Sequence, residues 1–348
     1  MTRSTATPSS DPGGMMGGLP SSTSVDVGAP EPEAGATKAF VGRSPNQLAW
    51  IRLKRDRTAL VSAVVVAFFI LVALLAPVLS KLYGKSPTEG FSDKLTARGL
   101  PIGYLGGISG EHWLGLEAGQ GRDLLMQLIF GIRTSLIIAF SAAVATILIG
   151  ILVGIVAGYF GGWVDQVISW FMDFTLAFPF LIFTLAVIPI VNERAYPIGQ
   201  EIPGWFRIVS IIAVFSLFYW PGTARLVRGQ VLSLREREYV EAARAAGAGT
   251  AHILFRQILP NIWAPVLITF SLALPAFIAA EAALSFLNVG VIEPTPDLGR
   301  LVYTARGWLQ TDDPYFFLIP AFTVVAIVLA FNLLGDALRD ALDPKSAK

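Results

Sequence analysis

Six apolar stretches, each close to the length that crosses a lipid bilayer, dominate the sequence and restrict what it can fold into. A helix needs about 20 apolar residues to cross the hydrocarbon layer, and a backbone in lipid must satisfy its own hydrogen bonds. The stretches are 59–79, 135–159, 167–191, 206–224, 265–287 and 315–334. The sequence therefore predicts an all-α membrane protein with six transmembrane helices, the fourth of which is interrupted near its end by Pro221 and Gly222.

Charged residues make up 15% of the chain, against about 25% in soluble proteins. The net charge of +1 favours neither a nucleic acid nor an acidic ligand as a partner. The chain has no cysteine and only two, widely separated histidines, His112 and His252, which argues against thiolate and histidine-based metal sites. No phosphate-binding loop of the form Gly-x4-Gly-Lys-Ser/Thr occurs. We therefore expect a chain that is not an enzyme and binds no cofactor, metal or nucleotide itself.

Basic residues beside the apolar stretches indicate the orientation, because arginine and lysine favour the cytoplasmic side of a membrane. Arg52, Lys54 and Arg55 precede the first stretch. Between the fourth and fifth stretches lie Arg225, Arg228, Arg235, Arg237, Arg244 and Arg256. Both termini and the loop 225–261 are therefore predicted in the cytoplasm. The turn 158–165 is assigned to the same side by alternation alone.

Composition also indicates how the chain is divided. Residues 1–45 are rich in serine, threonine, proline, glycine and alanine, which predicts a disordered cytoplasmic tail. The other predicted regions are a cytoplasmic flank with the first transmembrane helix (46–80), an external loop (81–132), the core (133–340) and a cytoplasmic tail (341–348). Within the external loop, 123–132 has leucine and isoleucine at helical spacing, which predicts an interfacial helix on the membrane surface.

The loop 225–261 has the features of two short helices joined by a glycine turn. Ser233 with Glu236 matches a capping box, and Gly247 follows an alanine-rich run at the position where a glycine ends a helix. A second helix over 250–258, capped by Thr250, is expected to end at Pro260. Small side chains cover much of the first helix, which suits insertion into a groove on a partner. Arg235, Arg237, Arg244 and Arg256 are expected to make contacts at its rim.

The spacing of Glu241-Ala-Ala, Gly247 and Leu259-Pro resembles the cytoplasmic EAA loop of ABC-importer permeases. Other segments resemble the second, C-type permease subunit of dipeptide and oligopeptide importers, a group that includes nickel and glutathione permeases. These segments are 121–125, 158–165, 176–179, 220–225, 281–287, 294–297 and 331–344. The resemblance extends over about residues 45–345 and implies the type I permease fold, with one N-terminal helix added to a five-helix core.

The resemblance also implies a function and a set of partners. The chain would be the permease subunit of a peptide importer in the bacterial cytoplasmic membrane, paired with a second homologous permease subunit. Two ATPase subunits would bind ATP and magnesium, and an external binding protein would deliver the solute. The residues expected to couple to the ATPase are Glu238, Glu241, Ala242, Ala243, Arg244, Gly247, Arg256 and Pro260. Permeases for nickel or glutathione, or a self-sufficient secondary transporter, remain alternatives.

Ionisable residues within apolar stretches are costly and are either functional or paired. Asp173 and Glu281 are therefore candidates for the translocation path, although a structural ion pair or a hydrogen bond between helices is the favoured explanation for both. Phe178 with Pro179, and Pro275, are expected to break or kink the third and fifth helices, as hinges or as static packing features.

Polar residues precede the second apolar stretch. His112, Trp113, Arg122 and Asp123 are candidates for a surface on which the binding protein docks. A local cap on the second transmembrane helix is the alternative explanation for the same residues.

Overall fold

The structure, a computed structural model, describes residues 45–196 and 200–342. Residues 1–44 of the predicted tail 1–45 and residues 343–348 of the predicted tail 341–348 lie outside the described residues. The helices are α1 (Pro45–Arg55), α2 (Arg57–Tyr83), α3 (Leu124–Phe160), α4 (Gly162–Ala177), α5 (Phe180–Ala195), α6 (Gly204–Leu234), α7 (Glu238–Ala245), α8 (Thr250–His252), α9 (Trp263–Phe286), α10 (Leu298–Ala305) and α11 (Tyr315–Leu342). Short 3₁₀ turns occur at Ser92–Lys94 and Arg306–Gln310.

Within the described ranges, the helices α2, α3, α6, α9 and α11 are long and apolar enough to span a membrane. The helices α4 and α5 form a sixth, broken span that bends by 84°. Pro179 explains the break, because it has no backbone N–H and restricts the residue before it to extended backbone. Phe178 has the expected extended conformation, with φ −80° and ψ 130°. The all-α fold with six spans and the break at Phe178–Pro179 are confirmed.

The central contact of the fold is between α3 and α6, and it depends on glycine. Gly150, Gly154 and Gly158 repeat every fourth residue along α3 and face α6. A Cβ atom at Gly154 would lie 2.6 Å from the carbonyl oxygen of Ala224 and 2.8 Å from the Cβ of Val227. Such spacing of small residues lets membrane helices approach closely. Sequence analysis missed this stripe.

Two predicted helix ends are wrong. The predicted interfacial helix over 123–132 is not a separate element, because α3 is continuous from Leu124 and Asp123 caps it by accepting a hydrogen bond from the N–H of Met126 (3.0 Å). The helix α6 runs through Pro221 to Leu234, beyond the predicted end of the fourth span at Ala224. Its residues beyond the proline pack on the glycine stripe of α3, so tertiary contacts maintain the helix where local preference would end it.

Contacts divide the loops between two ends of the helix bundle. At the long-loop end, which carries residues 84–123 and 287–314, the hydroxyl of Tyr83 contacts Asp123 and the guanidinium of Arg122 contacts Glu293. At the arginine end, which carries residues 158–165 and 228–262, Arg235 donates to the carbonyl oxygen of Gly158 (2.9 Å). The turn 158–165 therefore lies on the same side as the arginine-rich loop, as its assignment by alternation requires.

Candidate functional site

The helix α7 lies on the surface of the arginine end and is attached through one side chain. Val240 is fully buried, and no other side chain of α7 is. It packs in a cluster with Val231 of α6, with Ile253 and Ile258 beyond the glycine turn, and with Val266 of α9. The residues around it, 237–252 without Val240, are called the coupling surface below; Ala243 and Ala248 are partly buried and the others are exposed. Because Val240 packs against residues of α6 and α9, the position of α7 depends on the positions of these two spans.

Gly247 ends α7 as predicted. Its φ of +83° is a left-handed conformation that favours glycine. The N–H of Gly247 donates to the carbonyl oxygen of Arg244, and the N–H of Ala248 to that of Ala243, each over 3.0 Å. These two bonds form a Schellman motif. The predicted capping box is wrong, because Ser233 still belongs to α6 and α7 begins after Arg237 without a side-chain cap.

The second predicted helix does not end at Pro260. After the N-cap Gly249, α8 continues as a π-helical turn, Ile253–Ile258, and a 3₁₀ turn, Leu259–Asn261, before α9 begins at Trp263. The predicted cap Thr250 is instead the first residue of α8. Pro260 lies in the first turn of a helical segment, where a missing N–H is tolerated. The coupling surface is thus connected to the span α9 by an almost continuous helical path.

The arginines of this region fall into two groups. Arg225 pairs with Asp173, and Arg228 pairs with Asp165, with 2.7 Å between Nη2 and Oδ2 of the second pair. Arg235 donates to the carbonyl oxygen of Gly158, a contact within this chain, and its role at the rim of a partner contact stays a prediction. In the part of the chain that the structure describes, the exposed charges of Glu238, Glu241, Arg237, Arg244 and Arg256 form no ion pair. Arg225, Arg228 and Arg235 therefore contact other parts of the chain. Arg237, Arg244 and Arg256 are free to bind a partner.

At the long-loop end, His112 and Asp123 are buried and bind each other. Nδ1 of His112 lies 2.9 Å from Oδ2 of Asp123, which also accepts a hydrogen bond from the hydroxyl of Tyr83 (3.2 Å). Trp113 is exposed over 62% of its surface, whereas His112 and Asp123 are at most 1% exposed. Of the residues proposed for docking, Trp113 alone presents its side chain to solvent; Arg122 is 5% exposed.

A second group, which we call the arginine clamp, joins the long loop to the segment before α10 and combines buried arginines with the exposed carboxylate of Glu293. Nε of Arg122 donates to Glu117 (2.8 Å), and Nη2 donates to Glu293 (3.0 Å). Arg300 of α10 donates to the same oxygen of Glu293. Partial burial of Glu293 opposes its ionisation, but attraction to Arg300 and Arg122 outweighs burial and lowers its pKa. Burial of Arg122 acts against its charge, but Glu117 and Glu293 outweigh it and raise the pKa.

Glu117, Glu293 and Arg300 were not among the predicted site residues. One local signal was available: Asp297 precedes Leu298 and Leu301, and its side chain caps α10 by accepting from the N–H of Arg300 (2.8 Å). The ion pair between Arg122 and Glu293 joins residues 171 positions apart, and no local pattern encodes a contact of that range.

Replacing Glu293 with glutamine is expected to loosen the arginine clamp at neutral pH. The loss should be about 1–2 kcal/mol, between the values for exposed and buried ion pairs. Because folding lowers the pKa of Glu293, its contribution is present above the unfolded value of about 4.3 and is lost as pH falls through the lower folded value. Hydrogen exchange of residues 288–305 should therefore be faster in the variant at pH 7, and the difference between the two proteins should shrink as the pH falls below about 4.3. Equal exchange at pH 7 would contradict this role.

The residues proposed for the translocation path occupy different environments. Asp173 is exposed over 66% of its side chain and pairs with Arg225. Phe178 lies at the bend of the broken span, with its ring 5.0 Å from that of Phe174 and 5.9 Å from that of Phe183. Pro275 is buried inside α9, which remains one helix across it. Gly335 of α11 packs beside the carbonyl of Ser271, which Pro275 leaves without its helical donor.

Glu281 is fully buried within the subunit. Its two carboxyl oxygens accept hydrogen bonds from the hydroxyls of Ser135 (2.7 Å) and Ser285 (3.0 Å), and its carboxyl lies against that of Asp297. Ser285 in turn accepts from the N–H of Val291 (3.1 Å). These contacts join α3, α9 and the segment before α10. In this conformation Glu281 therefore makes the contacts of a helix-packing residue.

Comparison with known protein families agrees with this architecture. Residues 150–348 match the family "Binding-protein-dependent transport system inner membrane component". The chain belongs to this family. Residues 44–91 match the "N-terminal TM domain of oligopeptide transport permease C", so the helix α2 is part of a recognised addition to the permease core. The predicted membership in the C-type peptide permeases is confirmed.

Curated relatives of this transport permease align over almost their whole length. A dipeptide transport system permease protein of Alkalihalophilus pseudofirmus is 35% identical over 318 residues, 91% of this chain and 95% of the relative. A dipeptide transport permease of Haemophilus influenzae is 34% identical over 88% of this chain and 97% of its own. A glutathione transport system permease protein of Pectobacterium atrosepticum is 34% identical over 87% and 92%.

A solved structure of the MetNI methionine ABC transporter in an inward-facing conformation also aligns with this permease. The match has 20% sequence identity and a TM-score of 0.49, and covers 63% of this chain and 98% of that chain.

Proposed function

We propose that this chain is the C-type permease subunit of an ATP-driven importer for dipeptides or oligopeptides. The coupling surface is the observation that carries the proposal. It contains an exposed helix whose charges form no ion pair within the described residues, attached to the spans through Val240 and connected to α9 by the helical path that begins at Thr250. A partner that moves α7 would move α6 and α9 with it. The chain contributes no catalysis, and ATP and magnesium would bind to separate ATPase subunits.

The distribution of charge supports the orientation. The arginine end faces the cytoplasm in this proposal, because arginine and lysine favour that side of a bacterial inner membrane. The coupling surface is then accessible to an ATPase subunit, and both termini are cytoplasmic. The long-loop end faces outwards, where Trp113 would contact a substrate-binding protein. A second, homologous permease subunit would complete the translocation path.

The broken span supports the position of that path. Asp173 and Phe178, both exposed in this chain, lie on the bent pair α4–α5. A second permease subunit placed against this face would enclose both residues between the two subunits. Their contact with a passing peptide remains a proposal.

Dipeptides are the substrates named for two of the relatives described above, and this supports the choice of peptide. Glutathione, itself a modified tripeptide, is the second candidate because another relative of almost equal identity is named for it. Uptake of a labelled dipeptide and of labelled glutathione, each in competition with the other, distinguishes the two in cells that make the whole importer. Exclusive uptake of glutathione would contradict the first choice.

Replacing Gly247 with tryptophan is expected to separate the permease from its ATPase. A side chain at φ +83° strains the turn, and the indole would project from the coupling surface. We expect at least a tenfold loss of the co-purified ATPase activity, which corresponds to about 1.4 kcal/mol.

Gly84→Trp is the matched control for this experiment. Gly84 follows α2 with a φ of +72°, has no atom within 4 Å of the position that a Cβ would occupy, and lies at the opposite end of the bundle. Gly247 likewise has open space around it. Unchanged ATPase binding and uptake in Gly247→Trp, or an equal loss in both variants, would contradict the assignment of the coupling surface.

A further inference from the structure

A cavity of about 930 Å³ at the long-loop end has no role in the transport function described above. It lies between the last turn of α2, the first turns of α3 and the long loop. Its lower part is lined by Leu79, Leu82, Leu125 and Ile129, and its upper part by charged and aromatic side chains of the long loop. The cavity is thus apolar toward the spans and polar toward water.

The apolar part opens on the periphery of the bundle. The helix α2 packs on α3 and α11 and leaves its other face uncovered, with Leu82 exposed over 81% and Val78 over 50% of their surfaces. In a membrane this face of α2 is in contact with acyl chains. The cavity therefore begins where the lipid-facing surface of α2 ends.

Lysines lie at the polar part of the cavity. Nζ of Lys85 is 4.6 Å from the ring centroid of Phe91 and 6.0 Å from that of Tyr83, and within the described residues it forms no ion pair. Lys94 pairs with Glu111. The charged side chains that line the cavity are therefore two lysines and one glutamate, with one positive charge in excess. Cation–π contacts hold the Lys85 ammonium without neutralising it.

We propose that this cavity binds one anionic phospholipid. Its phosphodiester would lie between Lys85 and Lys94, and one acyl chain would follow Leu79, Leu125 and Ile129. One excess positive charge matches the single negative charge of a phospholipid such as phosphatidylglycerol. Trp113 at the rim suits the headgroup region, where tryptophan is enriched. In the orientation proposed above, the lipid belongs to the outer leaflet.

Lipid binding by the full-length chain, purified with its associated subunits in a neutral detergent, tests the proposal. The probes are phosphatidylglycerol, phosphatidylcholine with the same acyl chains, and inorganic phosphate, measured by native mass spectrometry and by the thermal unfolding midpoint. We expect phosphatidylglycerol to bind at least about fivefold more tightly than phosphatidylcholine, since one lysine near a membrane surface contributes on the order of 1 kcal/mol. Lys85→Gln should remove this preference. Lys81→Gln, at an exposed lysine that does not line the cavity, should keep it.

Three results would overturn the lipid site. If the unaltered chain bound phosphatidylglycerol and phosphatidylcholine equally tightly, the lysines would not select an anionic headgroup. If inorganic phosphate alone raised the thermal unfolding midpoint as much as phosphatidylglycerol does, the cavity would be a site for anions and not for a lipid. The substitution Leu79→Trp fills the apolar part of the cavity. If phosphatidylglycerol bound this variant as tightly as the unaltered chain, no acyl chain would lie in that part. None of these measurements depends on ATPase coupling, so this proposal and the proposed function fail separately. If Lys85→Gln is not monodisperse, Lys85→Arg replaces it and is expected to keep the preference for phosphatidylglycerol; its loss there would count against the site.

Discussion

Gly154→Leu is expected to prevent folding of the permease. A Cβ atom at this position would approach the carbonyl oxygen of Ala224 to 2.6 Å and the Cβ and Cγ1 atoms of Val227 to 2.8 and 2.9 Å. Overpacking in a core costs about 1–3 kcal/mol, and here the closest neighbour is backbone of a second helix that cannot rotate away. Leucine improves helix propensity by less than about 1 kcal/mol. The steric cost at this backbone contact therefore exceeds the usual range and dominates, and we expect a net loss of at least about 3 kcal/mol.

Gly229→Leu isolates the steric part of this effect. Gly229 lies in α6 and has no atom within 4 Å of the position that a Cβ would occupy, so the substitution brings the same gain in helix propensity without a clash. The monodisperse fraction in detergent and the midpoint of thermal unfolding measure both variants. We expect Gly229→Leu to match the unaltered chain and Gly154→Leu to aggregate. Similar midpoints for the two variants would show that the glycine stripe does not determine the distance between α3 and α6.

The glycine stripe also shows why the spans were predictable and their packing was not. The length of an apolar run depends on consecutive residues, so the six spans could be inferred from the sequence alone. Gly150, Gly154 and Gly158 acquire meaning only when Thr223 and Val227 lie opposite them. The continuation of α6 past Pro221 has the same origin, because contacts with α3 outweigh the local preference to end the helix there.

The candidate sites likewise combine local features, which could be predicted from the sequence, with long-range contacts, which could not. Gly247 was predictable because the end of a helix is a local feature, and the Schellman bonds close within six residues. The roles of Arg235 and Arg122 were not, since each depends on a partner far along the chain, Gly158 and Glu293 respectively. A charged residue in a loop is compatible with a free surface or with an internal ion pair, and only the fold distinguishes them.

Val240→Asp is expected to release α7 from the spans while leaving the spans folded. Val240 is fully buried among Val231, Ile253 and Ile258. Burial of a valine contributes about 1.5–3 kcal/mol, and an ionised aspartate in the same apolar cluster would cost several kcal/mol more. Because no other side chain of α7 is buried, the helix should detach and the carboxylate should reach water.

Hydrogen exchange of residues 238–248 and the co-purified ATPase activity measure this release together. In Val240→Asp, exchange of the segment should approach that of an unstructured peptide and ATPase stimulation by substrate should be lost, with little change in the thermal midpoint of the spans. Val240→Thr, which keeps the shape of the side chain, should give an intermediate loss. Full stimulation in Val240→Asp would mean that α7 transmits no force to α6 and α9. A large fall in the thermal midpoint would instead mean that α7 supports the spans, so the two measurements separate a coupling helix from a structural one.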